Sequence, residues 1–402
     1  MRLCAVLVSL LASWIAASAF AQPYANTVHV ETVGALQDAV LNAESSTEIL
    51  IADGIYNLTQ TLVIDNGVHD VALRGESGDR DAVIIAGPGM SNPQCADAPH
   101  GVMIRDAQDV LVADLTVRDF YYHNVMAQGE QGAERPTIRN VHSIDAGEQH
   151  IKVTLGSNGL TCDGGVVEGC LIEYTDTARS DYTNGVDVLA GADWVVRDCT
   201  FRNIRAPAGM DLAGPSVLFW RGASNTVIER NRFFNCERGV ALGLVWTGTN
   251  DHVGGIVRNN FFHRTADQPG DVGIAVAECP GFEISHNTVI LSGTFAWNIE
   301  YRYEESVGVI AGNITDGPIQ ERDGVATLED NLTNATSEWF VDMGAGDLHL
   351  TESATPALDA AQPRASVTDD IDGEPRSPTA PDIGADEHTS APELAELGLL
   401  HR

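Results

Sequence analysis

Val166-Val167-Glu168-Gly169-Cys170-Leu171-Ile172 returns as Val195-Val196-Arg197-Asp198-Cys199-Thr200-Phe201, and again as Val227-Ile228-Glu229-Arg230-Asn231-Arg232-Phe233. An earlier copy ends in Arg139-Asn140-Val141, and later ones carry Asn259, Asn287 and Asn313, with weaker copies at Asp114 and Asn331. From Asn140 through Cys170, Cys199, Asn231, Asn259 and Asn287 to Asn313 the steps are 30, 29, 32, 28, 28 and 26 residues. Within each copy apolar residues alternate by two, whereas helical repeats of this length would alternate by 3.6. A period near 28 built of short alternating strands means one coil per repeat. Such a coil cannot bury its inner face alone, so coils must stack. The marker Asn and Cys residues then line up in a turn, where stacked amides satisfy backbone groups that the turn leaves unpaired.

This reading makes the chain all-β, a single-stranded right-handed parallel β-helix. Val33 to Val40 read as a short amphipathic helix that caps the first coil. The β-helix is expected over residues 22–350, with its N-terminal cap at about 22–60, followed by a C-terminal cover and an acidic, Pro-rich tail over 351–402. Residues 1–21 read as a signal peptide: Arg2, an apolar stretch from Leu3 to Ala17, and the small-x-small site Ala19-Phe20-Ala21. Secretion or periplasmic export is therefore expected, with no membrane anchor and a monomeric product.

Composition narrows the partners. The chain has 57 acidic and 23 basic residues, a formal charge of −34, the opposite of a nucleic-acid footprint. An acidic ligand can bind only where cations are gathered. Of the basic residues all but Lys152 are arginine, and lysine, unlike arginine, gives up its proton when its surroundings press it to. The six cysteines from Cys95 to Cys279 contain no CxxC pair, which argues against a zinc site. Cys170 and Cys199 read as buried ladder residues on successive rungs, within reach of a disulfide.

Leu36-Gln37-Asp38-Ala39-Val40 through Asp53-Gly54-Ile55-Tyr56 resembles the opening of secreted pectate-lyase-like β-helix proteins, including the alginate lyase and chondroitinase B group. Asp370-Ile371-Asp372-Gly373-Glu374-Pro375-Arg376, with Pro381-Asp382-Ile383-Gly384-Ala385, resembles the ending of many exported β-helix proteins. The resemblance implies the β-helix fold and action on an acidic polysaccharide. It also implies a catalytic role for Arg221, which closes Leu218-Phe219-Trp220 ahead of the next Asn turn.

Strands preceding each ladder turn can be aligned. Ile151, Val153, Val186 and Val188 should point inward, leaving Lys152 and Asp187 outward. Arg221 is expected to complete an outward row on the third rung, with His150 beside it. In a lyase Lys152 would remove the proton next to a uronate carboxylate, Arg221 would clamp that carboxylate, and His150 is a second candidate base. Asp187 would orient Lys152 or bind a cation such as Ca²⁺. Asn124, Trp220, Glu300 and Arg302 are the substrate-binding candidates. The competing readings are a glycoside hydrolase, which needs paired carboxylates, and a non-catalytic carbohydrate-binding surface protein, in which Lys152 and Asp187 form an ordinary ion pair.

Overall fold

A computed structural model describes residues 24–95 and 97–389; the expected signal peptide and the last thirteen residues lie outside them. The chain winds as a right-handed parallel β-helix with three strands per coil. One face is a ten-stranded parallel sheet running from Gln60–Ile64 to Ile319–Arg322. The other two faces are short strands on either side of a two-residue bend, such as Val166–Glu168 and Leu171–Glu173 around Gly169 and Cys170. Each stacks in register on the next coil: Val166 on Val195 on Val227, and Leu171 on Thr200 on Arg232.

The bend needs a left-handed residue, and this shifts the ladder from its expected place. Positive φ falls on Asn140, Asp198, Arg230, Asn259 and His286, each just before the inward residue. Asn and Asp tolerate that conformation better than most side chains. Asn140 and Asn259 are therefore bend residues rather than ladder rungs. Val141 and Asn260 take the inward position, as the pairing of Val141 with Leu115 and the hydrogen bonds of Asn260 show.

The ladder itself is a continuous run of buried amides. Asn231 Nδ2 donates to Asn260 Oδ1 (3.0 Å), Asn260 to Asn287 (2.9 Å), Asn287 to Asn313 (3.0 Å) and Asn313 to Asn331 (2.9 Å). Each amide also reaches a backbone carbonyl of an earlier coil, as Asn287 does with Val257 O at 2.8 Å. Cys199 and Cys170 continue the column, with Cys170 N–H donating to Cys199 Sγ (3.4 Å). All six cysteines among the described residues are free thiols. Beside the ladder Phe201, Phe233 and Phe262 stack face to face at 4.8 and 4.4 Å.

The ends are closed differently. Helix Val33–Leu41, capped by the Thr32 hydroxyl on Ala35 N–H, buries Leu36 and Val40 against the first coils. The C-terminal segment is described as far as residue 389. It runs along the bends of successive coils: Asp369 bonds Arg230 (2.7 Å), His286 Nδ1 lies 3.1 Å from Asp382 O, and Gly384 N–H donates to Gly312 O (2.8 Å). Buried Arg376 ties it down through Asn259 Oδ1 and Gly384 O. Val325 and Leu328 of the last coil stay exposed among the described residues.

Asn287→Ala would leave the Asn260 backbone N–H without its partner inside the wall and remove the amide bond to Val257 O. A loss of about 1–3 kcal/mol in urea unfolding is expected for the orphaned buried group. A loss below about 1 kcal/mol would show that the amides do not hold the coils in register.

Candidate functional site

The ten-stranded face sets its outward columns by register alone. Met103, Met126, Lys152, Asp187, Leu218, Ala241, Ala275, Glu300 and Gln320 occupy one column, strand by strand. Their neighbours Ile151, Val153, Val186 and Val188 point into the core. Lys152 and Asp187 thus meet on adjacent rungs, as their common phase against Val-x-Val requires. They are not open to solvent, being only 5% and 2% exposed. Lys152 Nζ lies 2.5 Å from Asp187 Oδ2, and Trp220 Nε1 donates to Asp187 Oδ1 at 2.9 Å.

Arg221 is not the third member of that row; Leu218 is. Arg221 follows the strand, at φ +60°, in the place of Ala190 one coil earlier. Strand alternation no longer applies there, so the expected phase fails. It still comes to the same site by another route: its guanidinium stacks 4.7 Å from the Trp220 ring, and its N–H is held by Asp251 Oδ1 at 2.8 Å. The layers run from buried Asp187 through half-buried Trp220 to exposed Arg221.

His150 and Asn124 lie inside the coil rather than on the face. Both precede a strand at the corner where the chain turns, and the corner interrupts the two-residue alternation. His150 Nδ1 is 2.9 Å from Ser143 Oγ and its ring meets Tyr174 edge-on at 4.8 Å. Burial pushes His150 down to about 3, so it is a neutral interior imidazole. Asn124 Nδ2 donates to Val117 O, Ser143 Oγ and Ile144 O, pinning the corner. Neither side chain reaches a ligand on the face.

Glu300 shares the Lys152 column but stands four strand steps beyond Asp187, about 19 Å away. It is buried, accepting from Trp297 Nε1 and Arg322 (both 2.9 Å), with Arg302 at 3.8 Å. Glu300 and Arg302 therefore form a separate group. The two oxygens of Asp187 each hold one partner, Lys152 and Trp220. Among the described residues, the side chains close enough to share an ion are His349, Asp372 and Asp386 in the C-terminal segment. There His349 already bridges Asp347 and Asp372 at 2.5 and 2.9 Å.

The loops add residues that strand patterns cannot announce. Glu148 and Arg179 pair at 3.0 Å, and Arg179 stacks 3.9 Å over the Tyr121 ring. His123 Nε2 lies 4.0 Å from Glu148, and His100 stacks on both Tyr122 (5.3 Å) and His123 (5.1 Å). Burial raises the Glu148 carboxyl, with Arg179 and Lys152 pulling it back. Burial lowers His100 to about 4 and His123 well below its usual range. Lys152 and Arg179 thus share one electrostatic neighbourhood.

Residues 160–311 match the family described as right handed beta helix region. Among solved structures, pectate lyase Pel9A aligns over 91% of this chain and 97% of its own, at 13% identity and a TM-score of 0.64. The chain is a right-handed parallel β-helix of pectate-lyase-like fold. The β-helix also aligns with the lacto-N-biosidase of Eubacterium ramulus (10% identity, 77% and 68% of the two chains, TM-score 0.52). A third likeness is the tailspike of E. coli bacteriophage HK620 in complex with pentasaccharide (13% identity, 79% and 61%, TM-score 0.52). At these identities the likeness is one of fold. No curated protein matches the chain by sequence. No helix among the described residues is long and apolar enough to cross a membrane.

Removing one partner of the Lys152–Asp187 pair strands a buried charge. Lys152→Met and Asp187→Leu should each cost about 3–5 kcal/mol, while the double variant loses far less than their sum. Additive losses in denaturant unfolding would show that the two side chains do not share one desolvated contact.

Proposed function

We propose that the chain is an exported carbohydrate-active β-helix that cleaves a uronic-acid-containing polysaccharide by β-elimination on its ten-stranded face. The observation that carries this reading is the arrangement of the sole lysine. Lys152 is fixed by Asp187 on the outward side of the sheet, with Trp220 and Arg221 layered above the pair. Elsewhere an acidic chain has spent arginines on carboxylate bridges such as Arg197–Glu168 and Arg258–Glu229. Lysine is the residue that proton transfer needs and a purely structural bridge does not.

In this reading Arg221 meets the uronate carboxylate and withdraws charge as the adjacent carbon becomes acidic. Lys152 first releases its ammonium proton to solvent; the neutral amine then takes the proton from that carbon, the freed electron pair forms the C=C bond, and the C–O bond to the next sugar breaks. The leaving oxygen takes up a proton from solvent. Asp187 holds Lys152 in direction and balances the ammonium charge that the transfer restores. Trp220 is the half-buried side chain beside the pair, and it must yield for sugar to reach Lys152.

One observation favours a second reading, that of a non-catalytic carbohydrate-binding protein: the pair is closed over, as a structural ion pair would be. A hydrolase built on Asp187 and Glu300 fits poorly, because inverting carboxylates stand roughly 6.5–9.5 Å apart and these lie about 19 Å apart.

The test uses Lys152→Arg, which keeps the ion pair but cannot release its proton. The purified protein is offered alginate, pectate, glucuronan and glycosaminoglycans, and the ultraviolet absorbance of a double bond conjugated to a carboxylate is followed. Absorbance should grow on at least one polymer and fall by about 10²-fold or more in a folded Lys152→Arg variant. A folded wild-type protein that yields no absorbance on any of them, or an equally active Lys152→Arg, would end the lyase reading. New reducing ends without absorbance would mean hydrolysis.

A further inference from the structure

The Lys152–Asp187 pair lies between two arginine–aromatic stacks. On one side Arg221 covers Trp220. On the other, Arg179 lies 3.9 Å over Tyr121 and 5.9 Å from the Tyr122 ring. Tyr121 and Tyr122 precede the strand Val125–Gln128, one step from the Lys152 strand, and Trp220 ends a strand two steps to the other side. The two stacks are thus about three strand steps apart along the helix axis, roughly 14 Å. Tyr121 and Tyr122 lie before their strand and Trp220 at the end of its own, so a chain that reaches both stacks crosses the face obliquely and spans several residues.

The Arg179 stack has the composition of a sugar seat. Tyr122 is 37% exposed, and His100 stacks on it with a neutral imidazole. Aromatic rings offer a flat apolar face, and the guanidinium offers paired donors to a carboxylate. Its present partner is Glu148, at 3.0 Å. Glu148 is half-buried, and burial already disfavours its charge. Arg179 and Lys152 offset that penalty, so the acid group of a ligand competes with Glu148 for one cation.

We infer that Arg179 is a second carboxylate-binding cation of this face, a specificity-determining residue that exchanges Glu148 for the acid group of a uronate further along the chain from the one over Lys152. The inference rests on the polyuronate reading of the face but not on elimination taking place there. It makes the preferred ligand a chain that carries more than one acid group. Arg179 is a binding residue: it acts on affinity and leaves the chemical step at Lys152 alone.

The experiment measures calorimetric affinity for a short saturated oligouronate, and lyase kinetics on its polymer, for the wild type, Arg179→Gln and Glu148→Gln. Thermal melts confirm that each variant is folded. Arg179→Gln should weaken binding by about five- to tenfold, the worth of roughly one charge-assisted contact, and raise KM with kcat within about twofold. Glu148→Gln, which removes the internal competitor, should tighten binding. Unchanged affinity and KM in folded Arg179→Gln would overturn the inference, as would a fall in kcat at constant KM. A wild type that binds the oligouronate through Arg179 without cleaving it would sink the lyase reading and keep this one. A wild type that cleaves with unaltered Arg179→Gln kinetics would do the reverse.

Discussion

The buried column at the bend, asparagine amides from Asn231 to Asn331 continued by Cys199 and Cys170, holds successive coils in register. Asn231, Asn260, Asn287, Asn313 and Asn331 each satisfy the next, and each also bonds a backbone carbonyl inside the wall. A one-residue slip between coils would leave these amides unpaired in the core and turn every strand's side chains over. Register in the coils from Asn231 onward is tied to the ladder. In the coils that carry Lys152 and Asp187 the column is continued by Val141, Cys170 and Cys199, and strand pairing there sets Lys152 on Asp187.

The repeat period and strand phase were legible because they arise from local rules: alternation by two, and a polar residue where the chain bends. The adjacency of Lys152 and Asp187 followed, both standing between two inward valine or isoleucine positions. What misled were places where the rule stops. Asn140 and Asn259 look like ladder residues because a left-handed bend and a buried rung both favour asparagine. Arg221 lies past its strand, so alternation assigned it the wrong column, and His150 and Asn124 lie at a corner, where alternation assigned them the wrong side. Glu148 and Arg179 carried no signal. Their meeting depends on loop paths, which no periodicity encodes.

Electrostatics ties the face to its proposed ligand. In a chain of net charge −34, an acidic polymer is repelled by most of the surface and meets cations only where the fold collects them. Lys152, Arg179 and Arg221 are brought to one stretch of one face from three different coils, each set against an aromatic ring or a carboxylate that holds its direction. Preorganised cations lose little freedom when a ligand arrives. Their present partners Asp187 and Glu148 keep the buried charge balanced until then.

The most direct measurement is a crystal structure of the protein with a bound uronate oligosaccharide. The account predicts a sugar chain lying along the helix axis on the ten-stranded face, one ring over the Lys152–Asp187 pair with Trp220 displaced, and its carboxylate within hydrogen-bond distance of Arg221. An oligosaccharide bound on another face, with Lys152 and Asp187 still closed under Trp220, would contradict it.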